Sequence, residues 1–356
     1  MLVRCSRLIA VVIAAALLAA CGETGSRNAQ IPAAQSVASG FGATSSSRQL
    51  SPSSAIVPDR IMVIVMENHS FDDIIGATNP NGYTLLTPFL TQAAQTDRLA
   101  TMYFGVAHPS LPNYVSMIAG NYFGVHDDNS SCYAVPPQKP CHAFNGKNLV
   151  DSLEAAGISW NSYNESMPYD GFLGAQYPLK GDGLYRQKHD PFVYFKDIAT
   201  NKARLSHIKT FVDLKNTLNN GALPRFSFIV PNECHDMHGA VGFCNFSNDK
   251  LIREGDAAVQ RLVQTIISSG SFTNRSLLFI VFDEGDNNLG CCDGPPLQSG
   301  GHLPAILITS SPGFVASAQP YNHYSLLSTI ETVWNLPKIG YTSDTKNVKP
   351  MLDLLP

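Results

Sequence analysis

The sequence predicts an α/β fold, a three-layer sandwich in which helices cover both faces of a mainly parallel central sheet. Two observations carry this prediction. Short continuous runs of apolar residues, rich in Val and Ile, have the pattern of strands that are buried on both faces. Longer segments with helical spacing of Leu, Val and Ile alternate with these runs, and such alternation favours a parallel sheet.

In the first half of the chain, residues 61–66 read IMVIVM, so they are predicted to form a buried strand. Residues 114–119 are apolar and are interpreted as a helix. Residues 148–156 have the Leu and Val spacing of another helix. The stretch 121–195 is predicted to be rich in loops. Its many aromatic side chains either form the rim of a pocket or pack the loops against each other.

The second half repeats the alternation. Three further apolar runs are predicted as strands, at residues 226–230, 277–282 and 305–308. Two segments are predicted as helices, 256–268 and 324–336. No linker composition and no internal repeat follows residue 58, so residues 59–356 are predicted to form one domain.

Composition excludes several classes of protein. The chain has 356 residues, of which 44% are apolar and 15% charged, so most of it can bury a core. The net charge is −4 and there is no basic block, which argues against nucleic acid as a partner. Gly and Pro occur without a period, so collagen-like and solenoid structures are excluded.

The N-terminus has the features of an export signal. Arg4 and Arg7 precede an apolar run at residues 8–20, and small residues lead to Cys21. This pattern predicts a lipoprotein signal peptide over 1–20, with a lipid on Cys21 that anchors the exported protein to the membrane of the bacterial cell envelope. An ordinary secretory signal, which would release the protein, is the alternative. The polar, Ser/Ala/Gly-rich residues 21–58 are predicted to be a flexible tether.

Cysteine usage agrees with export. Apart from Cys5 and Cys21, six cysteines remain, and an even number in an exported protein suggests disulfides. Pairing of near neighbours gives Cys132–Cys141, Cys234–Cys244 and Cys291–Cys292. Six cysteines allow about fifteen pairings, so other connectivities stay open. A zinc–thiolate site is the rival interpretation, although no CxxC pair supports it.

Three predicted strands are followed by side chains that suit a divalent metal. Glu67 and Asn68 follow the first strand, and Asp283 and Glu284 follow the strand at 277–282. The strand at 226–230 leads into a segment that contains His235, Asp236 and His238. Because ligands bind beyond the carboxyl ends of parallel strands, we expect these groups to meet at one edge of the sheet. Oxygen and nitrogen ligands of this kind suit Ca, Mg, Mn or Zn.

A serine is predicted at the start of a helix in a fourth segment. Ser110 lies just before the apolar stretch 114–119, where backbone N–H groups and the helix dipole favour an anion. The simpler interpretation is that Ser110 caps the helix, and both roles are compatible. His302 and His323 stand at the start of a predicted strand and of a predicted helix, and each taken alone is interpreted as structural.

Five strings of the sequence resemble motifs of one family. They are ENHSFD (67–72), HPSLPNY (108–114), FDEG (282–285), GGHLPAILI (300–308) and YNHYSLLSTIE (321–331). In this order, over residues 59–341, they resemble the bacterial phosphoesterase family, and within it the acid phosphatases. That family also contains phospholipases C. The resemblance implies an alkaline-phosphatase-like α/β fold.

The resemblance also implies roles for individual residues. A divalent metal ion would be held by Glu67, Asn68, Ser110, Asp283 and Glu284. Ser110 would be the nucleophile, and His302 or His238 would protonate the leaving group. Substrate-binding roles are implied for Asn113, His108 and His235. Residues 233–246 depart from the family pattern, because Gly239 stands where that pattern has an acid, which puts any acid role at that position in doubt.

The implied function is metal-dependent hydrolysis of a phosphate monoester through a phosphoserine, with phosphoinositides as a candidate substrate. The chain stops at Pro356, soon after the last motif, whereas phospholipases C of the family tend to carry additional C-terminal β domains. This favours a phosphatase, and a phospholipase C that cleaves phosphodiester head groups is the alternative. An inactive, surface-anchored binding lipoprotein is an alternative of another class. No Cys-x-Pro-x-Arg-like string is present, which argues against a sulfatase.

Overall fold

The computed structural model describes residues 57–82, 84–292, 299–311 and 313–356. All of these belong to one compact unit, Pro52–Pro356. The predicted signal peptide, Cys21 and nearly all of the predicted tether lie outside the described residues. None of the helices within the described ranges is both long enough and apolar enough to cross a membrane.

Strands and helices alternate along the chain. The strands are β1 Arg60–Met66, β2 Arg98–Phe104, β3 Trp160–Asn164, β4 Gln176–Tyr177, β5 Tyr185–Arg186, β6 Ile208–Thr210, β7 Phe226–Val230, β8 Ser276–Phe282, β9 His302–Thr309, β10 Val315–Ser317 and β11 Tyr321–Asn322. The helices are α1 Phe71–Ile74, α2 Pro88–Thr96, α3 Ser110–Ala119, α4 Leu149–Ala155, α5 Lys196–Ala199, α6 Lys202–Leu205, α7 Phe211–Asn219, α8 Asn248–Ser268 and α9 His323–Val333.

The main sheet has the strand order β10-β2-β9-β8-β1-β7-β3-β6, with β11 also beside β2. Its pairings are parallel except for those of β9, which runs antiparallel to both β8 and β2. Strands β4 and β5 form a separate antiparallel pair. The predicted α/β fold with a mainly parallel sheet is therefore confirmed.

The centre of the sheet is covered on both faces. Every side chain of β8 is buried, as is every side chain of β1 after Arg60. Because successive side chains of a strand point to opposite faces, complete burial requires packing on each face. This explains why both strands are uninterrupted apolar runs in the sequence.

The long helix α8 is amphipathic. Its buried residues recur at helical spacing, and they are Leu251, Ile252, Gly255, Asp256, Val259, Val263 and Ile266. Asp256 is a polar member of this face, and its carboxylate accepts hydrogen bonds from the backbone N–H groups of Phe89 and Leu90 at 3.0 and 2.9 Å. It thereby satisfies free N–H groups in the first turn of α2.

The predicted strands and helices all occur, with shifted ends. Helix α8 begins eight residues before the predicted start at 256, because Leu251 and Ile252 are the only apolar side chains among its first eight residues. Strand β9 begins at His302 rather than at 305. Strands β2 and β3 were not predicted, since RLATMYF and WNSYN lack a continuous apolar run.

Three strand ends meet at one edge of the sheet, as the sequence predicts. Strand β1 lies between β7 and β8, and all three run in the same direction. Beyond the strands, the Glu67 N–H donates to the carbonyl of Asp236 at 2.9 Å, and the Asp283 N–H donates to the carbonyl of Met66 at 3.0 Å. The acidic segments that follow β1, β7 and β8 are therefore held together by backbone hydrogen bonds.

The six cysteines form the three pairs that the sequence favours. The disulfides are Cys132–Cys141, Cys234–Cys244 and Cys291–Cys292. In the loop-rich stretch 121–195 the aromatic side chains include a buried group and an exposed group, while Tyr122, Phe123 and Phe172 are half-buried. Tyr163, Tyr185, Phe192 and Tyr194 are buried, whereas Tyr169 and Tyr177 are exposed. Packing of the loops thus accounts for the first group.

Candidate active site

Glu67 is the centre of the cluster at this sheet edge. It follows β1 directly and is fully buried. Its Oε1 accepts a hydrogen bond from the Tyr114 hydroxyl and lies 3.2 Å from His189 Nε2. Its Oε2 accepts a hydrogen bond from the Ser110 hydroxyl at 3.3 Å. One carboxylate therefore joins the serine to a buried histidine.

Ser110 is the first residue of α3, so it lies near the N-terminus of a helix as the sequence predicts. It does not cap the helix, because Pro109 occupies the N-cap position. The Ser110 side chain is almost fully buried, and its Oγ lies 3.1 Å from Glu284 Oε1 and 3.3 Å from Lys188 Nζ. With Glu67, two carboxylates and one ammonium group thus surround the hydroxyl. The carboxylates can take its proton, and the N-terminus of the ten-residue helix favours negative charge beside it.

Asn113 braces the loop that leads into α3. Its Oδ1 accepts from the N–H groups of Val106 and Ala107 at 2.8 and 3.0 Å. Its Nδ2 donates to the carbonyls of Ala107 and Pro109 at 2.7 and 3.1 Å. The side chain is fully buried. These bonds assign Asn113 a positioning role in this structure, and the substrate contact that the resemblance implies stays a prediction.

Asn68, Asp283 and Glu284 lie around Ser110 and Glu67. Asn68 adopts a left-handed conformation with φ of 52°, which asparagine tolerates better than most residues. Its N–H donates to Asp283 Oδ1 at 3.1 Å. Glu284 links Ser110 to His108, because its Oε2 contacts His108 Nδ1. The structure therefore brings together the five residues to which the resemblance gives a metal-binding role.

His189 and Asp236 form a second group with Glu67. One ligand atom from each of the three residues lies within 4.8 Å of the others, and all three residues are buried. Glu233 extends the group, since its Oε1 lies 3.1 Å from His189 Nδ1. His189 and Glu233 had no predicted role. His189 stands in an irregular stretch with no periodicity, and the adjacent Lys188-His189-Asp190 run was the available signal.

The predicted histidines divide between the cluster and its surroundings. His238 belongs to the cluster, because its Nδ1 lies 2.9 Å from Glu233 Oε2 and its Nε2 lies 3.3 Å from Lys188 Nζ. His302 bonds the Thr101 carbonyl at 2.9 Å through Nε2 and stacks on Phe71.

His302 is linked to the cluster through a neighbour. Its backbone N–H donates to Asn287 Oδ1 at 3.2 Å, and the Asn287 carbonyl lies 3.2 Å from His108 Nε2. The geometry therefore favours His238 over His302 as the histidine beside Ser110. The catalytic role of either one stays a prediction.

His235 faces a different place. Its Nδ1 lies 2.8 Å from Glu165 Oε2, and both residues line a cavity of about 340 Å³ between α7 and α8. The structure therefore places His235 and His238 in different surroundings, although they are only three positions apart in the sequence. The substrate-binding role implied for His235 gains no support from these contacts.

The cluster has an excess of acid. Burial, together with repulsion from Glu233 and Glu67, raises the pKa of Asp236 well above its usual value. Burial, together with repulsion from Glu67 and Glu284, does the same for the pKa of Asp283. One oxygen of each, Asp236 Oδ2 and Asp283 Oδ2, is buried without a hydrogen-bond partner among the described residues. Unpartnered buried carboxylate oxygens fit a bound divalent cation.

The basic groups of the cluster are held charged. Burial opposes the charge of Lys188, but attraction by Glu67, Asp128 and Glu233 outweighs it and raises the Lys188 pKa. Burial also disfavours the His238 imidazolium, yet its bond to Glu233 raises the His238 pKa to about 9. His238 can therefore donate a proton at neutral pH.

Comparisons with known proteins match the sequence of this chain to one family. The phosphoesterase family pattern matches residues 83–337. A phosphate-repressible acid phosphatase of Penicillium chrysogenum is 31% identical over 283 residues, which are 79% of this chain and 60% of that protein. The chain thus spans about three fifths of that relative's length.

A phosphatidylinositol-3-phosphatase of Mycobacterium tuberculosis is 28% identical over 294 residues, which cover 83% of this chain and 82% of that protein. An alkaline phosphatase superfamily protein of Vibrio parahaemolyticus aligns with a TM-score of 0.49 at 14% identity, over 82% of this chain and 70% of that one. With the match over residues 83–337, the chain belongs to the phosphoesterase family.

Proposed function

We propose that this protein is a metal-dependent phosphomonoesterase in which Ser110 is the nucleophile. The observation that carries the proposal is the position of Ser110 Oγ, between the carboxylates of Glu67 and Glu284 at the N-terminus of α3. A hydroxyl is a poor nucleophile unless a neighbouring group takes its proton or lowers its pKa. Both conditions can be met by the groups around Ser110.

A divalent cation fits this donor set. Glu67, Asp283 and Glu284 would hold it beside Ser110, with Asn68 as a further candidate ligand. His189 lies 3.2 Å from the other oxygen of Glu67, and Asp236 belongs to the same group of three, so these two residues are the remaining candidates. When bound, such an ion lowers the pKa of a hydroxyl next to it and offsets charge on phosphoryl oxygens.

Each residue of the site then has its own role in the reaction. Ser110 Oγ forms a bond to phosphorus while the bond from phosphorus to the alcohol oxygen breaks, and a cluster carboxylate takes the serine proton. His238 gives a proton to the departing alcohol oxygen, because Glu233 fixes its Nδ1 and leaves Nε2 toward the site. Water then hydrolyses the phosphoserine, which restores Ser110 and releases phosphate.

The named relatives suggest which substrates to test. One is an acid phosphatase, and another is a phosphatidylinositol-3-phosphatase that this chain matches over most of both lengths. We include phosphoinositides as candidate substrates on this basis. We also propose export with a lipid on Cys21, which would hold the enzyme at a membrane surface.

The first experiment measures hydrolysis of p-nitrophenyl phosphate by the full chain and by Ser110→Ala, with and without EDTA. We expect Ser110→Ala to lose about 10³-fold in kcat or more. EDTA should abolish turnover, and one of Ca, Mg, Mn or Zn should restore it. Ser116→Ala is the matched control, because Ser116 is buried on the same helix and contacts Tyr324.

Each outcome separates the parts of the proposal. Ser110→Ala with near wild-type turnover would remove Ser110 as the nucleophile. Turnover that survives EDTA, in protein that elemental analysis finds free of metal, would remove the cation. Hydrolysis of p-nitrophenylphosphorylcholine without hydrolysis of the monoester would favour the phospholipase C alternative. A folded protein inactive on both, and on phosphoinositides, would favour a binding lipoprotein.

A further inference from the structure

Lys188 is a buried cation that the proposed reaction has not used. It lies in a single 3-10 turn, Gln187–His189, and its side chain is 8% exposed. Its Nζ lies 3.3 Å from Ser110 Oγ and 3.2 Å from Asp128 Oδ2. Lysine is rarely buried unless it is paired, so a buried ammonium in contact with the proposed nucleophile requires a physical account.

We propose that Lys188 is a catalytic residue whose ammonium group stabilises negative charge on Ser110 Oγ and on the phosphoryl group that Ser110 attacks. This inference rests on the proposed role of Ser110. Its support is the contact with the reacting oxygen itself, within a site where burial strengthens the effect of a charge.

Asp128 fixes the position of the lysine relative to the serine. Its Oδ1 accepts a hydrogen bond from the N–H of Leu111 at 3.0 Å, and its Oδ2 pairs with Lys188 Nζ. Leu111 is the residue after Ser110, so one carboxylate holds both the first turn of α3 and the ammonium group. We therefore assign Asp128 as a positioning residue for Lys188.

The chemistry of this arrangement needs no proton from Lys188. The serine proton moves to a carboxylate of the cluster, and the ammonium stays charged while negative charge grows on the oxygen that attacks. Once the new bond between Ser110 Oγ and phosphorus forms, the adjacent phosphoryl oxygens lie near the same ammonium. A group that contacts charge in the transition state is expected to act mainly on kcat, and one that also contacts bound phosphate changes its affinity.

A competing account is that Lys188 simply balances the buried acids. Besides Ser110 and Asp128 it contacts His238, and the charges of Glu67, Glu233 and Asp283 attract it. A residue with that role alone would affect the melting temperature and the metal content. When the assay contains saturating metal, such a residue would leave the affinity of the site for phosphate unchanged.

The test compares Lys188→Met with Lys209→Met in the full chain. Lys209, on the short strand β6, is a matched control, because its Nζ forms a 2.6 Å ion pair with Asp170 and its side chain is partly buried. Kinetics with p-nitrophenyl phosphate give kcat, and inhibition by inorganic phosphate gives an inhibition constant. That constant does not depend on the fraction of active protein, so partial misfolding leaves it unchanged.

We expect Lys188→Met to lower kcat about 100-fold and to weaken inhibition by phosphate about tenfold. Lys209→Met should change neither by more than about twofold. A Lys188→Met variant that matches Lys209→Met in kcat, or that binds phosphate as the wild type does, would overturn the inference.

If Lys188→Met does not fold, Asp128→Asn provides a second test of the inference. It retains the lysine and a group that can accept from Leu111, but it removes the charge that orients the ammonium. We expect about a tenfold loss of kcat from it, and an unchanged kcat would count against the inference. Ser110→Ala in the same assay separates the two proposals. If that variant stays active, the proposed nucleophile fails, whereas its inactivity beside an unaffected Lys188→Met removes Lys188 alone.

Discussion

Two histidine–glutamate pairs, whose histidines are three positions apart in the sequence, have different surroundings. The His238–Glu233 pair is in the cluster, where Glu233 is buried and Lys188 lies against the imidazole. The His235–Glu165 pair lines the cavity between α7 and α8, and its histidine side chain is 38% exposed. The chemistry of the two pairs is the same, so position relative to Ser110 is what separates them.

The comparison teaches that residue type does not define a site. In both pairs the glutamate favours the protonated form of the histidine, because the carboxylate raises the histidine pKa. The difference is that the cluster around His238 also contains the Ser110 hydroxyl and further charged side chains. Variants of the two pairs therefore test the assignment of the active site directly.

The largest effect is expected from the carboxylate that joins the serine to the buried histidine. Glu67→Gln should lower kcat by about 10³-fold and reduce the metal content, because the amide cannot replace a charged ligand. Glu165→Gln is the matched control outside the cluster and should retain wild-type turnover. Steady-state kinetics and elemental analysis of both variants check this. Equal losses of kcat in both variants would show that the two regions do not differ in their importance for catalysis.

A smaller effect is expected from the cluster histidine. His238→Ala should lower kcat by about 10²-fold, since a positioned general acid contributes at least that much. The loss should be greater with phenyl phosphate than with p-nitrophenyl phosphate, because the poorer leaving group needs the proton more. A loss that is the same for both esters would show that His238 does not donate this proton.

The smallest effect is expected from the other histidine. His235→Ala should change kcat and KM by about twofold or less, because surface-facing substitutions away from the reacting groups have small effects. The same two esters are the measurement, and thermal unfolding reports any loss of stability. A loss comparable with that of His238→Ala would return His235 to the substrate-binding role that its motif implies.

Much of the fold could be predicted because the central strands are buried on both faces. Residues 61–66 and 277–282 are continuous apolar runs for that reason, and parallel pairing brings the groups after them to one edge. Strand β9 was found, but its antiparallel direction was not, since the pattern of a buried run is the same in either direction.

Residues outside regular elements could not be placed in this way. Lys188 and His189 lie in a short 3-10 turn, and no periodicity distinguishes a residue there that faces the site. Asn113 is the opposite case, a residue that a motif did single out. The motif implied a contact with substrate, whereas the Asn113 side-chain amide binds the backbone of its own loop. Which partner a polar side chain takes is decided by tertiary structure, and the sequence motif does not record it.

The disulfide between Cys234 and Cys244 makes part of the active site a covalent ring. The ring encloses Asp236 and His238, and closing a loop with a sequence separation of 10 reduces the conformational freedom of this segment when the chain unfolds. After local opening of the site, this segment therefore has fewer conformations to search before it closes again. Because such a ring closes where thiols are oxidised, the compartment in which the chain folds is itself a condition for building this part of the candidate active site.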